Sequence, residues 1–242
     1  RTERGQAIAK RNGLMATLES APLRLYVDAG NPLRSLQKAA PEPKANAKAT
    51  AVVNGITYVG CSASRTTTAG QAVTAARNYS ENSKGYLNLG TVGSRYTTWF
   101  GAYTSSRYST AKSHYAKIDT ALDQTGGKIK INCGCTQNYY AYVYPNRPYE
   151  IFVCNAFWSA PMTGTDSKAG TLVHEMSHFD VVANTDDVVY GQAGAKSLAI
   201  SNPTDALRNA DSLNDLRLQI KLNSARAKSS DLSAGTENFA LM

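Results

Sequence analysis

LVHEMSHFDVVANTDDVVYG, residues 172–191, contains two histidines with the spacing H-E-x-x-H. On an α-helix, side chains four residues apart project from successive turns of one face, so His174 and His178 would point in the same direction. Two imidazole nitrogens in that arrangement suit a tetrahedral zinc ion, which binds nitrogen at about 2.0–2.1 Å. Glu175 follows the first histidine, where it can exchange a proton with a water molecule at the metal. The chain has three histidines, and because two of them lie in this motif, a chance pattern is disfavoured.

The residues around the motif have the pattern of an amphipathic helix. The motif is preceded by residues of the types that cap helix N-termini, namely Thr165, Asp166 and Ser167. An apolar stripe at helical spacing is formed by Leu172, Val173, Met176 and Phe179. The sequence therefore predicts a helix that packs this stripe against a core while another face carries both histidines.

A third metal ligand is not obvious from the local sequence. In the metzincin pattern the motif continues as H-E-x-x-H-x-x-G-x-x-H, but Val181 and Asn184 stand at the last Gly and His positions. That class of zinc site is therefore excluded. The remaining candidates are one histidine and four carboxylates: His114, Asp180, Asp186, Asp187 and Glu237.

Position along the chain separates these candidates. His114 lies 60 residues upstream of the motif with no supporting local pattern, and Glu237 lies near the C-terminus. Asp180 would point away from the histidine face if the helix continues beyond the motif. Asp186 and Asp187 lie past the helix, where a loop can bring a carboxylate back to the ion. From the residues alone, both aspartates stay open as ligands.

Composition restricts the class of protein. The chain has 242 residues, of which 42% are hydrophobic and 18% charged, and its formal net charge is +8. No apolar run approaches the roughly 20 residues that a membrane span needs, so no membrane partner is expected. The basic residues are dispersed, and no basic helix, RNP-like string or zinc-finger spacing occurs, so no nucleic-acid partner is expected either.

Four cysteines bear on the compartment: Cys61, Cys133, Cys135 and Cys154. A disulfide between Cys133 and Cys135, two residues apart, would be strained. Pairings that join Cys61 and Cys154 separately to this C-G-C pair are therefore favoured. A structural zinc site is the rival interpretation, but the pattern lacks the usual C-x2-C halves. Two disulfides predict an oxidising, extracellular compartment and a secreted protein.

By composition the chain divides into three parts. Residues 1–36 contain the strand-like LRLYVD at 23–28, and residues 37–56 include KAAPEPKANAKATA, whose Ala, Pro and Lys content is typical of a linker. Residues 57–242, the part assigned as the catalytic domain because it contains the H-E-x-x-H motif, read as one compact domain, with helical patterns on either side of a strand-rich middle that turns at 145–146. We therefore predict an α+β fold, mainly helical with a small antiparallel sheet, preceded by a propeptide-like segment.

The motif and the residues after it resemble a known family. HEMSH followed by NTDDVVYG is similar to the aspzincin signature of the deuterolysin and peptidyl-Lys metalloendopeptidase family, in which H-E-x-x-H precedes G-T-x-D-x-x-Y-G. TYVGCSASR, YAYVYPNR and YGQAGAKSLA resemble the peptidyl-Lys branch, and the similarity extends from Thr57 to Asp211. The resemblance implies a zincin-like fold.

The same resemblance implies roles for particular residues. Asp187 matches the aspartate that completes the zinc site with His174 and His178, and Tyr190 matches the tyrosine that assists the transition state. Glu175 would be the general base. The implied disulfides are Cys61 with Cys133 and Cys135 with Cys154.

The chain departs from the family pattern at two places. Asn184 replaces the glycine before Thr185, but Asn tolerates a left-handed backbone better than most residues, so we expect the turn to persist. The family binds a substrate lysine through acidic residues in a segment N-A-D-x-x-E. Here Asp211 is kept and Asn214 stands in place of the glutamate. Asp211 is thus predicted to bind the substrate lysine, with Glu237 as a candidate second acid.

These observations predict a secreted zinc endopeptidase with one Zn²⁺ per chain, made as a zymogen. It would hydrolyse proteins or peptides on the N-terminal side of Lys, with Glu175 as the base and Tyr190 stabilising the oxyanion. Its own residues 1–36 would be a further partner, and a strand within residues 149–154 would pair with the substrate backbone. The alternative is a secreted binding or toxin-like module with a structural zinc, in which Glu175 would have no role.

Overall fold

A computed structural model describes residues 24–26 and 49–219 of the chain, with side chains described for residues 49–217. The rest of the predicted propeptide-like segment, most of the predicted linker and the candidate ligand Glu237 lie outside the described residues. Within them, α-helices surround one small sheet.

Eight α-helices make up most of the described chain. They are α1 (Ala63–Asn88), α2 (Ser94–Phe100), α3 (Ser105–Leu122), α4 (Asn155–Ser159), α5 (Lys168–His178), α6 (Gly191–Ser201), α7 (Pro203–Arg208) and α8 (Ala210–Asp215). Hydroxyl side chains cap the two longest at their N-termini. The Ser62 hydroxyl accepts a hydrogen bond from the Arg65 N–H, and the Thr104 hydroxyl accepts one from the Arg107 N–H.

The sheet has six strands in the described part of the chain. They are β1 (Arg24–Tyr26), β2 (Thr50–Val53), β3 (Ile56–Val59), β4 (Lys130–Asn132), β5 (Ala141–Val143) and β6 (Glu150–Val153), in the spatial order β1-β5-β6-β4-β3-β2. Strands β3, β4 and β6 are parallel to one another. β5 is antiparallel to both of its neighbours, β1 and β6, and β2 is antiparallel to β3.

The prediction of an antiparallel sheet is wrong for the centre of the sheet. Between β3 and β4 the chain passes through α1, α2 and α3, and such a long crossover allows two strands to run parallel. The predicted turn is confirmed: β5 and β6 form a hairpin through 145–146, where the Arg147 N–H donates to the Tyr144 carbonyl at 2.8 Å. The prediction that residues 149–154 pair with a substrate is also wrong, because β6 lies between β5 and β4.

Two strands precede the predicted start of the catalytic domain at residue 57. Strand β2 and the first residue of β3 fall within residues 37–56, and β1 falls within residues 1–36. The sheet therefore extends across both boundaries predicted from composition.

Helix α5 lies at the centre of the fold, and all eleven of its residues are buried. Its apolar stripe, predicted from the sequence, belongs to the main core between the helices and the sheet. Ala141 and Val143 of β5 face the same core. On the opposite face of the sheet, the Tyr142 ring stacks on Phe152 with centroids 4.6 Å apart. The sheet thus separates a large core, which contains α5, from a small aromatic cluster.

Two disulfides tie the strands together. Cys61–Cys133 joins the ends of β3 and β4, and Cys135–Cys154 joins the segment after β4 to the end of β6. These are the pairings that the family resemblance implies. Among the described residues, no helix has the length and hydrophobicity to cross a bilayer.

Candidate metal centre

Helix α5 presents the two motif histidines side by side. Ser167, one of the three predicted caps, begins the helix by accepting a hydrogen bond from the Gly170 N–H at 3.2 Å. His174 and His178 are both fully buried, with their Nε2 atoms 3.1 Å apart and their rings nearly perpendicular. The two ring nitrogens therefore converge on one point, as the H-E-x-x-H spacing predicts.

The chain turns back sharply after His178, the last residue of the helix. Phe179 is already extended, with φ −60° and ψ 134°. Its carbonyl accepts a hydrogen bond from the Asn184 N–H at 3.2 Å, and Asn184 has a left-handed φ of 48°. The Thr185 N–H then donates to the Ser177 carbonyl at 3.2 Å. The expected turn therefore persists with Asn in place of Gly, and it returns the chain to the histidine face.

Asp187 lies directly after this turn and completes a triangle of donor atoms. Its Oδ1 is 3.1 Å from Nε2 of His174 and 3.3 Å from Nε2 of His178. Ligands bound tetrahedrally at about 2.0–2.1 Å lie about 3.3–3.4 Å from one another. The three atoms thus have nearly the spacing of three ligands around one zinc ion, and they form a candidate metal group. The donor set and its geometry fit Zn²⁺.

The other predicted ligand candidates in the described chain lie elsewhere. The Asp186 carboxylate pairs with the guanidinium of Arg208, and Asp180 is exposed to solvent. His114 hydrogen-bonds the backbone of Leu207, and burial lowers the pKa of its ring to about 4. Of the two adjacent aspartates that the sequence left open, Asp187 is the one that reaches the histidines.

Each histidine has a second hydrogen bond on the side away from the triangle. Nδ1 of His174 lies 2.8 Å from Oδ1 of Asp211, and Nδ1 of His178 lies 2.9 Å from the Thr185 carbonyl. Because these partners accept hydrogen bonds, each Nδ1 would carry the proton when a metal is bound, which leaves each Nε2 lone pair to the metal.

Asp211 contacts the metal centre directly. It is buried on α8, with one carboxylate oxygen on His174 and the other accepting a hydrogen bond from the Gly191 N–H at 2.5 Å. A substrate ammonium group would have to compete with both bonds to reach this carboxylate. The structure thus gives Asp211 a role in orienting His174, and its binding of a substrate lysine stays a prediction.

Asn209 supports the centre and escaped the sequence-based prediction. It is fully buried, and its Oδ1 accepts hydrogen bonds from the N–H groups of Val188 and Val189, each at 3.1 Å. Both donors lie in the loop that carries Asp187. The only local signal is that Asn209 precedes α8, where Asn is a common cap, and this signal says nothing about a distant loop.

Glu175 and Tyr190 lie close to the donor triangle. Glu175 is fully buried on α5, and Tyr190 is the N-cap residue of α6. Burial raises the pKa of the Tyr190 phenol, and the nearby carboxylates of Asp187, Asp211 and Glu175 raise it further. Since the phenol hydrogen-bonds the Asp187 side chain, it stays protonated and can act as a hydrogen-bond donor beside the metal position.

The charges in the centre reinforce one another. Burial opposes a negative charge on Asp187, but the two histidines outweigh it and hold the pKa of this carboxyl well below its usual range. Burial likewise opposes a positive charge on His174, yet its hydrogen bonds to Asp187 and Asp211 raise the pKa of the ring to about 10. A metal ion must therefore compete with a proton for His174, so acid weakens metal binding.

The far end of α8 packs tightly against α5. A side chain at Gly170 would overlap the guanidinium of Arg217 at 2.5 Å and the amide oxygen of Asn214 at 2.6 Å. Asn214, which stands where the family glutamate is expected, instead accepts a hydrogen bond from Arg217 at 2.8 Å. Asp215 is also buried, and burial together with the neighbouring Asp211 raises the pKa of its carboxyl to about 8.

Comparisons with known proteins agree with this geometry. The sequence profile of the aspzincin family, described as lysine-specific metallo-endopeptidase, matches residues 88–214. An extracellular protease of Aeromonas hydrophila is 44% identical over 196 residues, which cover 80% of this chain and 54% of that protein. A peptidyl-Lys metalloendopeptidase of Pleurotus ostreatus is 48% identical over 158 residues, which cover 64% of this chain and 92% of that protein.

A solved structure has the same fold. The zinc peptidase from Grifola frondosa is 45% identical, with a TM-score of 0.62, and the similarity covers 66% of this chain and 97% of that one. The chain spans only about half the length of some curated relatives, 54% of the Aeromonas hydrophila protein and 44% of a peptidyl-Lys metalloendopeptidase of Armillaria mellea. The profile nevertheless covers more than half of the chain, and the family signature coincides with the donor triangle. The chain therefore belongs to the aspzincin family of lysine-specific metallo-endopeptidases.

Proposed function

We propose that this protein is a secreted zinc-dependent endopeptidase that holds one Zn²⁺ per chain through His174, His178 and Asp187. The observation that carries the proposal is the triangle of their donor atoms, with sides of 3.1–3.3 Å, formed by two fully buried histidines and the partly exposed Asp187. Such a set leaves a fourth tetrahedral position open, as hydrolytic zinc sites do.

When bound, the zinc ion acts as a Lewis acid that polarises a peptide carbonyl and makes water acidic enough to deprotonate near neutral pH. Glu175 would take a proton from the attacking water molecule and later transfer it to the leaving amine. Tyr190, held as a neutral phenol, donates a hydrogen bond to the oxyanion that develops on the carbonyl oxygen. Asp211 and the Thr185 carbonyl keep the two imidazoles in the orientation that metal binding needs.

We propose that cleavage occurs on the N-terminal side of Lys. The support comes from relatives whose printed names contain peptidyl-Lys. Asn214 is bound to Arg217, so the preference for lysine would rest on Asp211 and on Glu237, which lies outside the described residues.

Secretion and processing complete the proposal. The two disulfides fit an oxidising compartment, and the relative from Aeromonas hydrophila is named an extracellular protease. Residues 1–36 would be a propeptide, residues 37–56 the linker that is cleaved, and residues 57–242 the catalytic domain that acts on protein or peptide substrates.

The alternative, a binding module with a structural zinc, predicts four protein ligands and no function for Glu175. Glu175, fully buried and next to His174 in the sequence, favours the enzyme, because a structural zinc site gains nothing from a carboxylate beside its ligand.

The decisive experiment compares Glu175→Gln with the parent chain on a denatured, lysine-containing protein, with cleavage sites mapped by mass spectrometry. We expect hydrolysis to fall by about 10²–10⁴-fold, while the bound zinc stays stoichiometric. The exposed Glu81→Gln is the matched control, with unchanged rates. Equal cleavage by the Glu175 variant would refute the assigned base, and cleavage at residues other than Lys would refute the specificity.

A further inference from the structure

Strand β5 packs against the helix that carries the two metal-binding histidines. Helix α5 contacts both β5 and β1. The Asp180 N–H, two residues after His178, donates to the carbonyl of Pro145, two residues after the end of β5, at 3.1 Å. The end of α5 that carries the metal ligands is therefore fastened beside β5.

The topology leaves few places where an extended peptide could pair with the sheet near this centre. Strand β6 has β5 on one side and β4 on the other, and β2 forms the far edge of the sheet in the described chain. A peptide that adds to the sheet needs an unpaired row of N–H and C=O groups. Without β1, which comes from the propeptide-like segment, the row that lies beside α5 in the described sheet is the outer edge of β5.

In the described chain this edge is occupied by the protein itself. Arg24, Leu25 and Tyr26 pair antiparallel with Val143, Tyr142 and Ala141 respectively. The occupant comes from the segment interpreted as a propeptide, more than twenty residues before the start of β2. Its backbone therefore takes the place that an extended substrate would need.

We propose that residues 24–26 act as an intramolecular competitor of the substrate, held on the edge of β5 by strand pairing. The inference rests on the proposed peptidase function and adds its regulation. Only three residues pair, and so short a strand is weakly held. While it is covalently attached, its high effective concentration keeps the edge covered. After cleavage in residues 37–48 that advantage is lost, and substrate displaces the strand.

Proline substitution tests the pairing without removing the segment. Successive N–H groups of a strand point to opposite sides, so only every second one can donate to β5. We therefore compare Arg24→Pro with Leu25→Pro. One of these two variants removes a hydrogen bond to β5, and the other is the control for the proline itself. Ala47→Pro, in the Pro-rich linker sequence, is a second control. All three are made in the full chain with Glu175→Gln, which prevents self-cleavage.

Two measurements then decide the proposal. The first is hydrogen exchange of the peptide that spans residues 139–145. The second is the Kd of a fluorescent, extended lysine-containing peptide, followed by anisotropy with zinc present. We expect one of the two β1 prolines to speed exchange and to tighten peptide binding, each by about tenfold, with the Tm unchanged. Ala47→Pro should change neither measurement.

Other outcomes overturn the proposal. Unchanged exchange in both variants would mean that β1 does not cover the edge. Faster exchange with weaker peptide binding and a lower Tm would make β1 a permanent structural strand. The binding measurement does not depend on hydrolysis, so the two proposals can fail separately. If the chain with Glu175 intact cleaved no substrate, the peptidase function would be refuted. Tighter peptide binding by a β1 proline variant would still show that residues 24–26 compete with the peptide.

Discussion

The two motif histidines are held from two different parts of the chain. His178 is supported from nearby, by the carbonyl of Thr185 in the turn that follows its own helix. His174 is supported from a distance, by the carboxylate of Asp211 on α8, 37 residues later. The nearby support is uncharged and built from backbone. The distant support is charged, buried and dependent on how α8 packs against α5.

This difference separates what the local sequence can specify from what the tertiary fold must supply. A turn that closes on its own helix needs only the right backbone conformations, here including the left-handed Asn184. A buried carboxylate must be brought in by another helix and hydrogen-bonded at both oxygens. We therefore expect the metal centre to be more sensitive to change on the α8 side than on the turn side.

The largest effect is expected where the two sides meet, at Asp187. Asp187→Ala removes the third donor of the triangle, and we expect stoichiometric zinc to be lost when metal content is measured after dialysis. Asp186→Ala is the matched control, because its carboxylate pairs with the half-exposed Arg208 instead. Zinc retained by the Asp187 variant would contradict the ligand assignment.

The contrast between the two supports is tested by weakening one support at a time. Asp211→Asn keeps the shape but loses the charge that polarises His174, and we expect the zinc affinity to fall by about 10–100-fold. Thr185→Val removes a hydroxyl 3.3 Å from Nδ1 of His178 and keeps the carbonyl contact. Its effect should stay within about fivefold. Equal losses in a competitive chelator titration would remove the distinction.

A smaller effect is expected at Asn209, which joins α8 to the Asp187 loop. Asn209→Ala leaves the N–H groups of Val188 and Val189 without their acceptor, and we expect the free energy of unfolding to fall by about 1–3 kcal/mol. Ser212→Ala, which removes only the partner of the Asn209 amide, should cost less than about 1 kcal/mol. Urea denaturation of both variants measures the difference.

The smallest expected effect is a pH dependence of stability that comes from Asp215, the last residue of α8. Burial and Asp211 raise the pKa of Asp215 to about 8, well above its usual value. Between pH 4 and pH 8, Asp215 keeps its proton in the folded state but releases it in the unfolded chain. Its contribution therefore lowers the free energy of unfolding as the pH rises through this range, and above pH 8 this contribution no longer changes with pH. In the Asp215→Asn variant, the free energy of unfolding should fall less steeply with pH, by up to about 1.4 kcal/mol per pH unit. Urea denaturation at pH 6 and pH 7 checks it, and parallel pH profiles for the variant and its parent would refute the assignment.

The features that could be predicted from sequence are those whose cause is local. The α5 helix, its serine cap and the hairpin turn at 145–146 follow from residues a few positions apart. The convergence of the two imidazoles follows from the four-residue spacing on that helix. Asp187 needed the family signature, since Asp186 and Asp187 are neighbours and no spacing rule separates them.

The features that could not be predicted depend on contacts between distant segments. The parallel pairing of β3, β4 and β6 is a property of the crossover through three helices, which leaves no periodic signal in the strands. The Asp211–His174 bond depends on the angle at which α8 crosses α5. The pairing of residues 24–26 with β5 joins segments more than a hundred residues apart, and composition alone marked those residues as a separate part.

The abrupt end of α5 at His178 has an electrostatic consequence for the ion. Peptide dipoles in a helix sum to a partial negative charge at its C-terminus, which favours a cation within the last turn. The second histidine is the final residue of α5 and the first lies one turn earlier, so a divalent ion would sit at the negative pole of the helix macrodipole. Because the helix ends at His178, its peptide dipoles would attract the ion in addition to the negative charge of the Asp187 carboxylate.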